Sequence, residues 1–126
     1  MTIAELKEYV RNRYGVEPEY LWADFPDAFV FRHTANRRWF AVTMEVRRER
    51  LGLPGRGTVF ITDVKCGPLL SGSYLGTPGV VPAWHMNKTH WLGVLPEEAS
   101  DDTVRELLEL SYDLTKKTDR KKERPL

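Results

Sequence analysis

Between Trp84 and Trp91 the chain reads Trp-His-Met-Asn-Lys-Thr-His-Trp, which places two indoles, two imidazoles, an amide and an ammonium within eight residues. Trp and His each have an apolar body and a polar tip, so the segment suits a pocket wall or a half-buried loop. As a site it would present Trp84, His85, Asn87, Lys88 and His90 to a small-molecule ligand or a partner. It could also use His85 or His90 as acid and base, since imidazole titrates near neutrality. As scaffold, Trp91 and Met86 would anchor the loop in the core while Asn87 and His90 satisfy backbone groups. Packing is the commoner role for aromatic residues.

Other reaction chemistry is thinly supplied. His85 and His90 lie five residues apart, and His33 and Cys66 are the remaining soft ligands, a spacing that argues against a metal site. Ser71-Gly72-Ser73 lacks the Gly-x-Ser-x-Gly frame of a nucleophile elbow, and Gly76-x-x-Gly79 is too short to cradle a phosphate. Cys66 is the one cysteine, which rules out an internal disulfide and fits a reducing cytoplasm. No catalytic residue, cofactor or metal is expected, and a binding role is favoured over an enzyme.

The second chemistry-bearing feature is charge. The whole chain carries a net +1, yet from Arg32 to Lys65 eight basic residues face three acids. Arg37 and Arg38 fall in a predicted turn, and Arg47, Arg48, Arg50 and Arg56 in or beside a predicted loop. Guanidinium forks match phosphate oxygens, and such contacts position a protein on nucleic acid without reading its sequence. These six arginines are therefore the candidate nucleic-acid contacts, with duplex DNA the expected partner. A hairpin turn and the next loop lie at opposite ends of an antiparallel strand, so two separated patches are expected.

Local patterns indicate what positions these groups. Thr2 and Glu5 form a capping box ahead of Ile3, Leu6 and Val10, and Gly15 supplies a helix stop. Glu19 to Ala23 reads as an edge strand. Ala28 to His33 and Arg38 to Val46 alternate with a period of two and read as a hairpin, with Asn36 available for a left-handed turn position. Arg47 to Gly57, with three glycines and Pro54, reads as irregular, and Thr58 to Val64 as a third strand. Pro68 to Leu75 reads as a short helix, Trp91 to Leu95 as a buried strand, and Ser100 caps a last helix with the stripe Val104, Leu107, Leu108, Ser111 and Leu114. Trp91, Phe40, Val42, Leu107 and Leu108 are expected to meet in one core.

At 126 residues, 41% hydrophobic and 29% charged, the chain suits one domain. That domain is expected over residues 1–118, with a basic, flexible tail over 119–126. The longest charge-free stretch, Cys66 to Asn87, is interrupted by four glycines and three prolines and cannot be a membrane-spanning helix. The opening residues carry acids and no apolar run, so no secretory signal is expected and the expected location is cytoplasmic.

The run Pro-Gly-Val-Val-Pro-Ala-Trp-His-Met-Asn-Lys-Thr-His-Trp, Lys65-Cys66 before it and Ser-Tyr-Asp-Leu at Ser111 to Leu114 after it, together resemble the MmcQ/YjbR family. The likeness extends to about Leu114, and Met-Asn-Lys-x-His-Trp is its specific part; the long Arg47 to Gly57 loop is a departure. The resemblance implies an α+β domain, an antiparallel sheet with N- and C-terminal helices packed on it, likened to a double-wing DNA-binding fold. It implies no particular reaction, and fold alone does not fix function.

Overall fold

A computed structural model describes residues 1–116. In chain order the elements are α1 (Ile3–Tyr14), β1 (Phe29–Arg32), β2 (Trp39–Arg47), a 3₁₀ turn (Arg48–Leu51), β3 (Thr58–Lys65), α2 (Pro68–Tyr74), β4 (Val80–Pro82), β5 (Trp91–Val94) and α3 (Asp101–Lys116). The strands form one sheet in the order β1-β2-β3-β5-β4, with every neighbouring pair antiparallel. This is the α+β architecture expected from the sequence. The domain boundary at 118 and the tail over 119–126 lie outside the described residues. No helix among the described residues is long and apolar enough to cross a membrane.

Helix ends follow their capping chemistry. Thr2 and Glu5 bond reciprocally across the start of α1, and Gly15 closes it in the left-handed conformation at φ 69°. Pro68 opens α2, where its missing N–H costs nothing. β4 was not anticipated as a strand. It occupies the sheet edge, the position that tolerates Pro82. The 3₁₀ turn likewise puts regular structure where only an irregular loop was expected, because Gly52 at φ 69° can accept the closing conformation. The expected strand Glu19 to Ala23 shrinks to a single bridge, Glu19 to Val30.

Opposed residues in an antiparallel pair point to the same face. One face carries Phe29, Phe31, Ala41, Val64, Leu92 and Val94, and packs against Leu6 and Val10 of α1 and Val104, Leu107 and Leu108 of α3. The opposite face carries Met44, Val46, Val59, Ile61 and Val81, which pack with Leu95, Leu51, Leu53 and Trp84. The middle of β2 is thus buried on both sides rather than half-exposed.

The register shifts between Phe31 and Arg32, a bulge that skips Phe40 and turns it to the helix side. There it lies edge-on to both Tyr112 and Tyr14, with ring centroids 5.0 Å and 5.5 Å away. Val42 is buried on the other face, so it does not share a core with Leu107 and Leu108. Trp91 is only half-buried, since it opens β5 opposite Lys65, beyond the helices' cover. The buried stripe of α3 ends on Thr115 and leaves Leu114 44% exposed, because the step from Ser111 to the same face is four residues, not three.

Candidate functional site

The β2–β3 connection begins at Arg47 and is folded tightly on itself. Arg48 N–H donates to Gly57 O at 3.0 Å, and Leu53 N–H to Arg48 O at 3.0 Å. The Arg48 side chain finishes the closure: Nε donates to Pro54 O at 2.7 Å and Nη1 to Glu98 Oε2 at 2.5 Å. Glu98 lies in the turn before α3, so Arg48 ties the loop to the body of the domain and holds its guanidinium firmly in the charged form. Arg48, one of the six arginines read as nucleic-acid contacts, thus has its guanidinium engaged within the domain.

The loop's other cations face solvent. Arg47 pairs with Glu49 at 2.5 Å, with both side chains about two-thirds exposed. Arg50 and Arg56 are exposed and make no ion pair among the described residues. Arg47, Arg56, Glu49, Thr58 and the backbone at Gly55 and Gly57 line a shallow concavity. Gly57 holds φ 90°, a conformation that L side chains rarely adopt, so the backbone there stays open to an approaching group.

Arg37 and Arg38 sit in the β1–β2 turn, at the other end of β2. A nine-residue strand separates the two groups by roughly 27 Å. Arg37 itself takes the left-handed position, at φ 65°, and reaches Glu19 at 3.5 Å. Asn36, expected in that position, instead donates from Nδ2 to the carbonyls of Thr115 and Lys116, capping the end of α3. Two cationic ends, not one patch, is the arrangement the strand topology demanded.

The Trp84–His90 loop folds over the sheet face away from the helices. Trp84 packs with the cluster of Val46, Val59 and Ile61, and its ring lies 4.5 Å from that of His85. His85 adopts φ 62°, unusual for a side-chain-bearing residue. Asn87 is used locally: its Oδ1 accepts from Thr89 N–H at 2.8 Å, and its carbonyl from the N–H groups of His90 and Trp91. The His90 carbonyl accepts from Cys66 N–H at 2.9 Å. The side chains of His85, Asn87, Lys88 and His90 are all exposed.

Beneath this loop lies a group the sequence reading passed over. Asp63, sixth of the eight residues of β3, the middle strand of the sheet, is fully buried, opposite Val42 on one side and Gly93 on the other. Its Oδ1 accepts the Trp84 backbone N–H at 3.0 Å, and its Oδ2 has no partner among the described residues. Burial pushes its carboxyl up to about 7; the Trp84 N–H and the Lys88 charge pull only weakly the other way. The available signal was alternation: Val59, Ile61 and Asp63 share one strand face, so an inward apolar row ends on an acid.

Elsewhere the titratable groups serve structure. His33 is buried with Nε2 2.9 Å from Thr115 Oγ1, and burial lowers its affinity for a proton. Burial likewise pushes the Cys66 thiol up, away from a reactive thiolate. Among the described residues no three His, Cys, Asp or Glu side chains are grouped to hold a metal.

Comparison with known proteins places the chain. The family model described as YjbR matches residues 5–114. The uncharacterized protein YyaQ of Bacillus subtilis (strain 168) is 33% identical over 117 residues, which cover 92% of this chain and 99% of that one. The uncharacterized protein YbdF of Escherichia coli O157:H7 is 42% identical over 53 residues, 38% of this chain and 43% of its own. A crystal structure of a Pseudomonas syringae protein superimposes with a TM-score of 0.88 at 37% identity, covering 91% of this chain and 99% of that one. A solution structure from the same organism gives 0.82 at 37% identity, covering 91% and 93%.

Proposed function

The chain belongs to the YjbR family, and on that premise we propose that it is a cytoplasmic domain that binds the phosphate backbone of duplex DNA weakly, through the β2–β3 wing. The observation that carries this reading is the division of labour among the loop's arginines. Arg48 braces the loop against Glu98 and Pro54, while Arg47 and Arg56 line a shallow concavity and Arg50 is exposed on the same loop. A braced loop loses little entropy on binding; Arg50 and Arg56 meet phosphates with no ion pair to break among the described residues, and Arg47 exchanges only its exposed pair with Glu49. Arg37 and Arg38, about 27 Å away by strand length, form a second and weaker contact.

Three phosphate contacts give a dependence of log affinity on log salt with a slope of about −2.7, and a dissociation constant of roughly 10⁻⁴ to 10⁻⁶ M. Binding to random 20-base-pair DNA at several salt concentrations measures it. The triple variant Arg47→Ala, Arg50→Ala, Arg56→Ala should remove that share and leave only the small slope of the second contact, whereas Arg37→Ala with Arg38→Ala should leave most of the dependence in place. An unchanged slope in the triple variant overturns the reading.

A further inference from the structure

We propose that the Trp84–His90 loop is a lid latched on Asp63, closed when the carboxyl carries its proton and released when it ionises. The proposal stands on placement. Asp63 is fully buried within β3, and one oxygen holds the lid through a single bond to Trp84 N–H. The other oxygen has no partner among the described residues, an arrangement that suits a protonated carboxyl and leaves a carboxylate poorly solvated. Beyond the latch, every side chain from His85 to His90 except Met86 is exposed, and the φ of 62° at His85 stores strain that opening releases.

While the lid is shut, the Trp84 N–H and the Lys88 charge both favour ionised Asp63, but burial outweighs them. Strands β2 and β5 set Val42 and Gly93 beside it, neither of which is charged. A side chain on Gly93 would strike Ile61 Cδ1 at 2.6 Å and crowd Val81 Cγ2 and Pro82 O at 3.1 Å, so the gap there is already filled, and by no charged atom. Arg32 and Glu19, on the same face at β1, pair with each other at 3.3 Å. His85 and His90, within the lid, are exposed to water. Lys88 is the cation that acts on Asp63 from the lid, and it favours the ionised form. Opening admits water to the carboxylate, so the open state has an ordinary Asp affinity for protons and the closed state a higher one. Lid opening therefore grows as pH rises above about 4 and levels off once the closed-state carboxyl, at about 7, has also ionised. Release uncovers the apolar seat of Trp84 on Val46, Val59 and Ile61.

Hydrogen exchange at the Trp84 amide, corrected for the intrinsic pH dependence of exchange, tests this on the full chain. Protection in the wild type should fall at least tenfold between pH 5 and pH 8 and then level. In Asp63→Asn the profile should be flat. Lys88→Met, a change at an exposed side chain, should move the levelling point to higher pH by removing the charge that favours ionisation. A flat wild-type profile, or a fall that persists in Asp63→Asn, overturns the proposal. Should Asp63→Asn fail to fold, a levelling point that Lys88→Met leaves in place overturns it.

Discussion

On the helix side of the sheet, Phe29, Phe31 and Phe40 meet Leu107 and Leu108, and the polar groups that enter are paired. Ser111 shows how: its Oγ donates to Phe40 O at 2.6 Å and accepts from Lys65 N–H at 2.8 Å. On the other side, a short loop and a 3₁₀ turn replace helices, and a buried carboxyl has one oxygen with no partner among the described residues. The contrast teaches where each property resides. The helix side supplies stability through burial, while the loop side holds the proposed contacts and the proposed lid. A protein can carry costly chemistry on one face of a sheet when the other face is well enough packed to absorb it.

The sharpest way to break this contrast is to cut both faces and compare. Phe40→Ala should lower stability by about 3–5 kcal/mol in denaturant melts, as expected for a buried aromatic that leaves a cavity. Asp63 should give the next largest effect, and one that depends on pH. Its folded-state value lies above the unfolded one, so the folded protein holds the proton longer. Stability is then full below about pH 4 and declines as pH rises to about 7, by up to about 4 kcal/mol if the lid stays shut. Asp63→Asn should remove that slope and be the more stable protein at pH 8, and equal slopes in the two proteins would mean the carboxyl is not desolvated. Ser111→Ala should cost about 1–3 kcal/mol at any pH, because it strands a buried carbonyl and an N–H. The smallest effect on stability, within about 0.5 kcal/mol, should come from the triple wing variant, whose side chains are at the surface. Its large effect is on the salt dependence of DNA binding.

How far these features could be read in advance follows from how local each one is. The capping box of α1, Pro68 at the start of α2 and the alternation of β2 are local patterns, and they announced their elements. The bulge at Phe40 was hidden, because it depends on how β1 lays against β2 and not on either strand's composition. Arg48 and Arg50 look equivalent in sequence. Glu98, fifty residues on, makes one a brace and leaves the other exposed. Asp63 entered only the charge count, as one of three acids among the basic residues of Arg32 to Lys65, although the row of Val59 and Ile61 pointed it inward. Among the loop residues, Asn87 could be read as a turn former, but the latch at Trp84 uses a backbone N–H, which no side-chain motif reveals.

The position of Ser111 also sets the order in which the chain can become a protein. The helix-side face of the sheet is complete in sequence by Val94, yet α3, which covers it, begins only at Asp101. Until those last turns leave the ribosome, Phe31, Phe40, Val64 and Leu92 have α1 alone to shelter them, and the Phe40 carbonyl and Lys65 N–H have no serine between them. Contacts spanning forty-six and seventy-one residues then form together, a long-range closure that slows folding. A nascent chain stalled before α3 would present a broad apolar sheet to its neighbours, the state in which chaperones find their substrates.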